Sequence, residues 1–142
     1  MSSLSFPDVN VWLALLLADH IHRALAGEWW VSGSSETIAF CRATQISVLR
    51  LLTTAAAMNG KPLTMNGAWQ AYDRLFEDDR VMFMPEPEAF EAEFRRGSRS
   101  EAASPKVWAD AYLISFAVRM NGAVVTFDRA LENRGSNCLV LG

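Results

Sequence analysis

Hydrophobic and polar positions alternate along this chain in two registers, short apolar runs and longer segments with helical recurrence. The runs Leu4 to Phe6, Thr37 to Cys41, Arg80 to Met84, Ala123 to Phe127 and Cys138 to Leu141 read as five short strands bounded by Pro, Gly or polar turns. Between them, Val11 to Leu17 and His20 to Val31 read as helices, and Gly33-Ser34-Ser35 as a turn. In Ala43 to Met58, Ile46, Leu49, Leu52 and Thr53 recur at helical spacing until Asn59-Gly60-Lys61-Pro62 ends the segment. Thr64 to Glu77 and the charged Pro87 to Arg96 are further helices, and Gly97 to Ala103 is polar and small enough for a loop. Ser104, followed by Pro105, is placed to cap a helix that runs to Met120 and stops at Asn121-Gly122.

Strands separated by helices imply parallel pairing through right-handed crossovers. The expected fold class is therefore α/β, a three-layer α/β/α arrangement with a central, mainly parallel five-stranded sheet, formed by one domain over residues 1–142. In such sheets ligands bind beyond the carboxyl ends of the strands. Asp8 follows the first strand and Asp128 the fourth, so both belong to that edge. Asp110 lies in the second turn of the Ser104-capped helix that leads into the fourth strand, and its end of that helix returns toward the same edge.

Three carboxylates brought together in this way repel, two of them by roughly 4 kcal/mol at 4 Å and an effective dielectric near 20, unless a cation neutralises them. Oxygen-only ligands suit Mg²⁺ or Mn²⁺, which can activate water for in-line attack on a phosphodiester. Thr126 and Asn10 are placed to orient these carboxylates through hydrogen bonds. Each aspartate also has an ordinary alternative: Asp8 and Asp128 as helix N-caps, and Asp110 as an acid facing the positive end of a helix dipole.

Composition narrows the picture. Hydrophobic residues make up 51% of the 142 and charged residues 20%, enough for a substantial core. The net charge of -3 lends a nucleic-acid partner no support; the run Arg95, Arg96, Arg99 and Lys106 just before Asp110 reads as a solvated, charged helix end, with an RNA-guiding rim as the functional alternative. The apolar run Val11 to Ala18 is too short to span a bilayer and follows Asp8 rather than a basic segment, so no membrane association and a cytoplasmic location are expected. Cys41 and Cys138 lie in strand-like runs and read as small buried hydrophobes. His20 and His22, two residues apart, fall on different faces of a helix and are not placed to share zinc.

Three blocks carry a family resemblance. The segment from Phe6 to Leu17 (Phe-Pro-Asp-Val-Asn-Val-Trp-Leu-Ala-Leu-Leu-Leu), Trp108-Ala-Asp-Ala-Tyr-Leu-Ile-Ser-Phe-Ala117 and Val124-Val-Thr-Phe-Asp-Arg-Ala-Leu131 resemble, in order and spacing, the first, third and fourth motifs of PIN domains. The likeness is to the VapC-type toxins of bacterial toxin–antitoxin pairs in particular. It implies a Mg²⁺- or Mn²⁺-dependent endoribonuclease that cuts single-stranded RNA, a cognate antitoxin protein that covers or distorts the site, and a homodimer. Asp8, Asp110 and Asp128 match the family's acidic positions.

The second motif departs from the family. In Ala43-Thr-Gln-Ile-Ser-Val-Leu-Arg50, Gln45 stands where a Glu is usual, which points to one high-affinity metal site with Gln45 as a neutral helper. Glu36 precedes the second strand and belongs to the opposite edge. Arg50 is a candidate for a substrate phosphate or for a structural ion pair. Two rivals remain: a PIN-like module that binds RNA or protein without cutting, and a receiver-like phospho-acceptor domain. The latter lacks its paired early acids and its late Lys.

Overall fold

The computed structural model describes residues 3–134 and 137–142. Strands β1 (Leu4–Pro7), β2 (Thr37–Phe40), β3 (Val81–Phe83), β4 (Ala123–Thr126) and β5 (Cys138–Val140) form one sheet in the order β3-β2-β1-β4-β5, with every pair parallel. The chain winds outward from β1 to β3, then returns to the other side of β1 with β4. The reversal point therefore falls between β1 and β4, where Ser5, Phe6 and Pro7 pair with Ala123, Val124 and Val125.

Alternation along the strands fills two cores. Ile38, Phe40 and Val125 face the layer built from α1 (Val9–Leu16), α2 (Arg23–Glu28), α3 (Arg42–Leu52) and α4 (Met65–Leu75). There the Trp12 ring stacks on Phe40 with centroids 3.9 Å apart. Phe6, Ala39 and Val124 face the opposite layer, α5 (Phe90–Ser98) and α6 (Val107–Met120), where the Phe90 and Phe116 rings pack at a tilt with centroids 5.5 Å apart. A central sheet covered on both faces is the three-layer arrangement expected from the alternation of strand and helix signals.

Four helices differ from expectation at their ends. The segment His20 to Val31 is not one helix: the His22 N–H donates to His20 Nδ1 at 3.0 Å, a local bond that competes with helical pairing, so α2 begins only at Arg23. Beyond Glu28 the chain loosens into a π-turn, Trp29–Gly33, whose Trp30 carbonyl accepts from Arg80 and from Ser34. The α5 helix starts at Phe90, after a left-handed Ala89, and absorbs Gly97 and Ser98 from the expected loop. Ser104 does not cap α6 with its side chain; its carbonyl closes a turn with Val107 N–H, and the helix begins at Val107. The α3 helix ends at Leu52, short of Met58, where Thr53 and Thr54 hydroxyls bond back to Leu49 and Arg50 carbonyls.

Candidate metal centre

The chain leaves β1 through Pro7, and the Asp8 N–H bonds to the Val125 carbonyl of β4 at 2.9 Å, which pins Asp8 to the reversal point. Asp8 then caps α1: its Oδ1 accepts from Val11 N–H at 3.1 Å. Its other oxygen, Oδ2, accepts the hydroxyl of Thr126 at 2.5 Å. Thr126, the last residue of β4, is fully buried, and the same Oγ1 accepts from the Asp128 N–H at 3.0 Å. One hydroxyl thus ties the ends of the two neighbouring strands together and fixes both acids that follow them. Asp128 in turn caps the short 3₁₀ turn Arg129–Asn133 through Ala130 N–H at 2.9 Å.

Asp110 approaches from the other layer. Because α6 starts at Val107, Asp110 lies in its first turn rather than the second. Its carboxylate is 4.0 Å from the guanidinium of Arg134, both side chains being partly exposed.

The acids sense one another. Burial is the main force that pushes the Asp8 carboxyl above its ordinary range, opposed by the Thr126 hydroxyl and the Val11 N–H; the charge on Asp110 pushes it further up. Asp110 is raised first by burial and then by the charge on Asp128, with Arg134 pulling the other way. Asp110 is therefore the common neighbour of the other two. Among the described residues, however, no three His, Cys, Asp or Glu side chains close up into a ready-made ion cage. The set is an open cluster of oxygen donors. Open sets of few carboxylates, completed by water and phosphate oxygens, are what Mg²⁺ accepts, so the donor chemistry fits a divalent cation of this kind.

Thr126 hydrogen-bonds to both Asp8 and Asp128. The part of Asn10 that acts on Asp8 is its backbone N–H, while the residue itself is exposed. Gln45 is buried, with its two polar ends engaged: Oε1 accepts from Arg42 at 2.7 Å and Nε2 donates to the Tyr72 hydroxyl at 3.2 Å. It thus locks α3 to α4. Arg50 forms no ion pair among the described residues and borders an apolar hollow with Ile46, Leu49 and Trp69. Arg134 was not anticipated, since nothing in its local sequence ties it to an acid on α6. His20 and His22 are also placed differently from expectation, outside any helix and stacked toward Phe127, with the His22 ring 4.4 Å from it.

The model of the PIN domain family matches residues 5–136, a span that contains all three aspartates. The chain belongs to the PIN domain family. Ribonuclease VapC41 of Mycobacterium tuberculosis is 41% identical over 133 residues, covering 90% of this chain and 91% of that relative. Ribonuclease VapC39 of the same organism is 29% identical, with 94% of each chain covered. Two solved structures share the fold. One is the M. tuberculosis VapC20 toxin, described as cleaving the sarcin-ricin loop, with a TM-score of 0.65 at 15% identity, covering 92% of this chain and 95% of that one. The other is VapBC2 of Rickettsia felis bound to a promoter DNA fragment, with a TM-score of 0.66 at 10% identity over 98% and 99%. The PIN architecture accounts for the acids at the β1/β4 reversal. No helix among the described residues is long and apolar enough to cross a membrane.

Proposed function

We propose that this chain is a Mg²⁺- or Mn²⁺-dependent endoribonuclease, the toxin of a VapBC-like pair, acting in the cytoplasm and held in check by a small cognate antitoxin. The observation that carries the proposal is the tying of Asp8 and Asp128 by one buried Thr126 hydroxyl at the sheet's reversal point, with Asp110 facing them. The similarity to ribonucleases VapC41 and VapC39 supports RNA as the substrate class and an antitoxin as partner. A homodimer is part of the same proposal.

Asp8, Asp110 and Asp128 would hold the cation, which supplies the charge that makes their proximity tolerable and the Lewis acidity that activates water against a phosphodiester. The protein's own groups do the rest. Thr126 donates to Asp8 and so favours its ionised, ligating form. It also fixes the backbone on which Asp128 stands. Arg134 offsets part of the charge on Asp110, favouring its carboxylate when no cation is present. Asp110→Asn should abolish Mg²⁺-dependent cleavage of single-stranded RNA and relieve growth arrest while the fold persists. Undiminished cleavage by that variant rules out the metal mechanism.

A second reading, a module that binds RNA or protein without cutting, draws on Gln45. The usual Glu is replaced by an amide whose polar ends are spent on Arg42 and Tyr72. Calorimetric metal titration with a cleavage assay on the same preparation separates the two, because binding without turnover favours the module.

A further inference from the structure

The α5–α6 junction carries an open cleft of about 700 Å³, bordered by Phe94, Arg95, Ser98, Arg99, Ser100 and Trp108. Trp108 is the anomaly there. It stands in the first turn of α6, two residues before Asp110, yet its side chain is 59% exposed. Its recorded ring contact is a T-shaped one with Phe94, centroids 6.3 Å apart. Indoles are usually well buried, and an exposed one beside cations is a feature of surfaces that bind single-stranded nucleic acid, where bases stack on aromatic faces.

The charges sort themselves. Arg95 is held by Glu91 at 2.8 Å, which leaves Arg99 without an ion pair among the described residues. Two carboxylates line the cleft, Glu91, which is paired with Arg95, and Glu101; its recognition power is that of one aromatic ring, the Arg99 guanidinium and the Ser100 hydroxyl, the Ser98 hydroxyl being spent on the Phe94 carbonyl at 2.6 Å. The volume falls within the few hundred to about 1,000 Å³ typical of small-ligand sites.

We propose that this cleft is a nucleotide subsite for single-stranded RNA, with a base stacked on Trp108 and a neighbouring phosphate on Arg99, from which the strand rounds the first turn of α6 to reach Asp110 on another face of the helix. The inference rests on the ribonuclease reading above and adds a specificity-determining surface to it. Trp108 and Arg99 touch substrate away from the reacting phosphate, so they act on binding more than on the chemical step.

The test uses the 142-residue chain in EDTA, where strand cleavage is suppressed, and a single-stranded oligoribonucleotide carrying 2-aminopurine. Trp108→Ala should weaken binding about tenfold or more and lose the quenching that stacking produces, while Trp108→Phe retains most of both. Arg99→Ala should lower the salt dependence of log K by about 0.7, one phosphate contact on a single strand. Glu101→Gln should tighten binding. In Mg²⁺, Trp108→Ala should raise KM with kcat largely kept. Its unfolding midpoint, compared with that of the parent, verifies that the variant is folded.

Normal wild-type cleavage combined with unaltered RNA affinity in Trp108→Ala and Arg99→Ala overturns the subsite alone. Loss of self-association or of antitoxin binding in Trp108→Ala, with RNA affinity intact, overturns it in favour of a protein contact. A wild-type chain that neither binds nor cuts RNA overturns the ribonuclease reading as well.

Discussion

Thr126→Val is the most informative single substitution, because it removes one hydroxyl and keeps the shape. Thr126 is fully buried, and its Oγ1 both donates to Asp8 and accepts from the Asp128 N–H. A hydrogen bond to a charged group contributes about 1.5–3 kcal/mol and a neutral one about 1 kcal/mol. Replacing hydroxyl by methyl in a dry site returns roughly 1 kcal/mol of apolar burial. The net loss is about 2 kcal/mol, or a fall of roughly 6 °C in Tm for a chain this size. Thr126→Ser keeps both bonds and loses one methyl, at a cost of about 1 kcal/mol.

The pH dependence separates this account from simple repacking. The Thr126 hydroxyl favours the ionised form of Asp8, so its removal drives the Asp8 carboxyl still further up. The stability gap between wild type and Thr126→Val must then be widest near neutral pH and shrink as pH falls through the Asp8 titration. Urea unfolding of the three proteins in EDTA, at about pH 7 and about pH 4.5, measures it. A gap that is the same at both pH values, or a Thr126→Val protein as stable as wild type, refutes the reasoning.

Further outcomes follow from the same cluster and from the packing behind it. Asp8→Asn keeps one acceptor, enough for the Val11 N-cap, but sets an amide N–H₂ where Oδ2 accepts from Thr126, while removing a charge that burial and Asp110 disfavour. Because a raised carboxyl binds more protons folded than unfolded, wild type loses stability from the ordinary carboxylate range upward; Asp8→Asn should lose less, as metal-free denaturation against pH will read. MgCl₂ at about 100 times its Kd should stabilise wild type by about 2.7 kcal/mol near neutral pH and leave Asp110→Asn almost unmoved, a difference visible in thermal melts. Arg134→Gln removes the charge that holds Asp110 down, so carboxyl NMR titration of the metal-free protein should find Asp110 ionising at higher pH. At Gly122, an added Cβ would meet Phe6 Cε2 at 2.8 Å and the Leu4 carbonyl at 3.0 Å, so Gly122→Ala should cost about 1–3 kcal/mol in urea unfolding.

Strand positions were legible because their signal is local: a short apolar run closed by Pro, Gly or Asp. Asp8 and Asp128 were placed at one edge by the same logic, since a parallel strand carries the residue after it to a known side. Helix ends were less legible because they depend on competing bonds. The His22 N–H to His20 bond and the Thr53 and Thr54 hydroxyls divert backbone that periodicity alone assigns to helix. The partners of the site were least legible of all. Arg134 meets Asp110 only because the 3₁₀ turn after β4 folds back against α6, and Gln45 meets Tyr72 only because α3 and α4 pack side by side. Neither pairing leaves a periodic trace.

The placement of Asp110 explains how an acidic chain tolerates this cluster before any cation arrives. Asp8 and Asp128 are each stabilised by their own element, through caps and through Thr126. Asp110 has no such support: among the described residues its recorded partner is Arg134, at the outer limit of an ion pair and partly in water. An exposed pair of this kind is worth little, about 0–1 kcal/mol, so it can be exchanged for a stronger cation at small cost. The cluster thus divides into two acids fixed by the fold and one held loosely by a replaceable charge. A divalent ion entering between the layers would gain most from Asp110. Its binding should therefore be more sensitive to Asp110→Asn than to Arg134→Gln, and Arg134→Gln should bind it at least as tightly as wild type. Calorimetric Mg²⁺ titrations of the two variants decide the point, and weaker binding by Arg134→Gln would mean that the guanidinium organises the site instead of standing in for the ion.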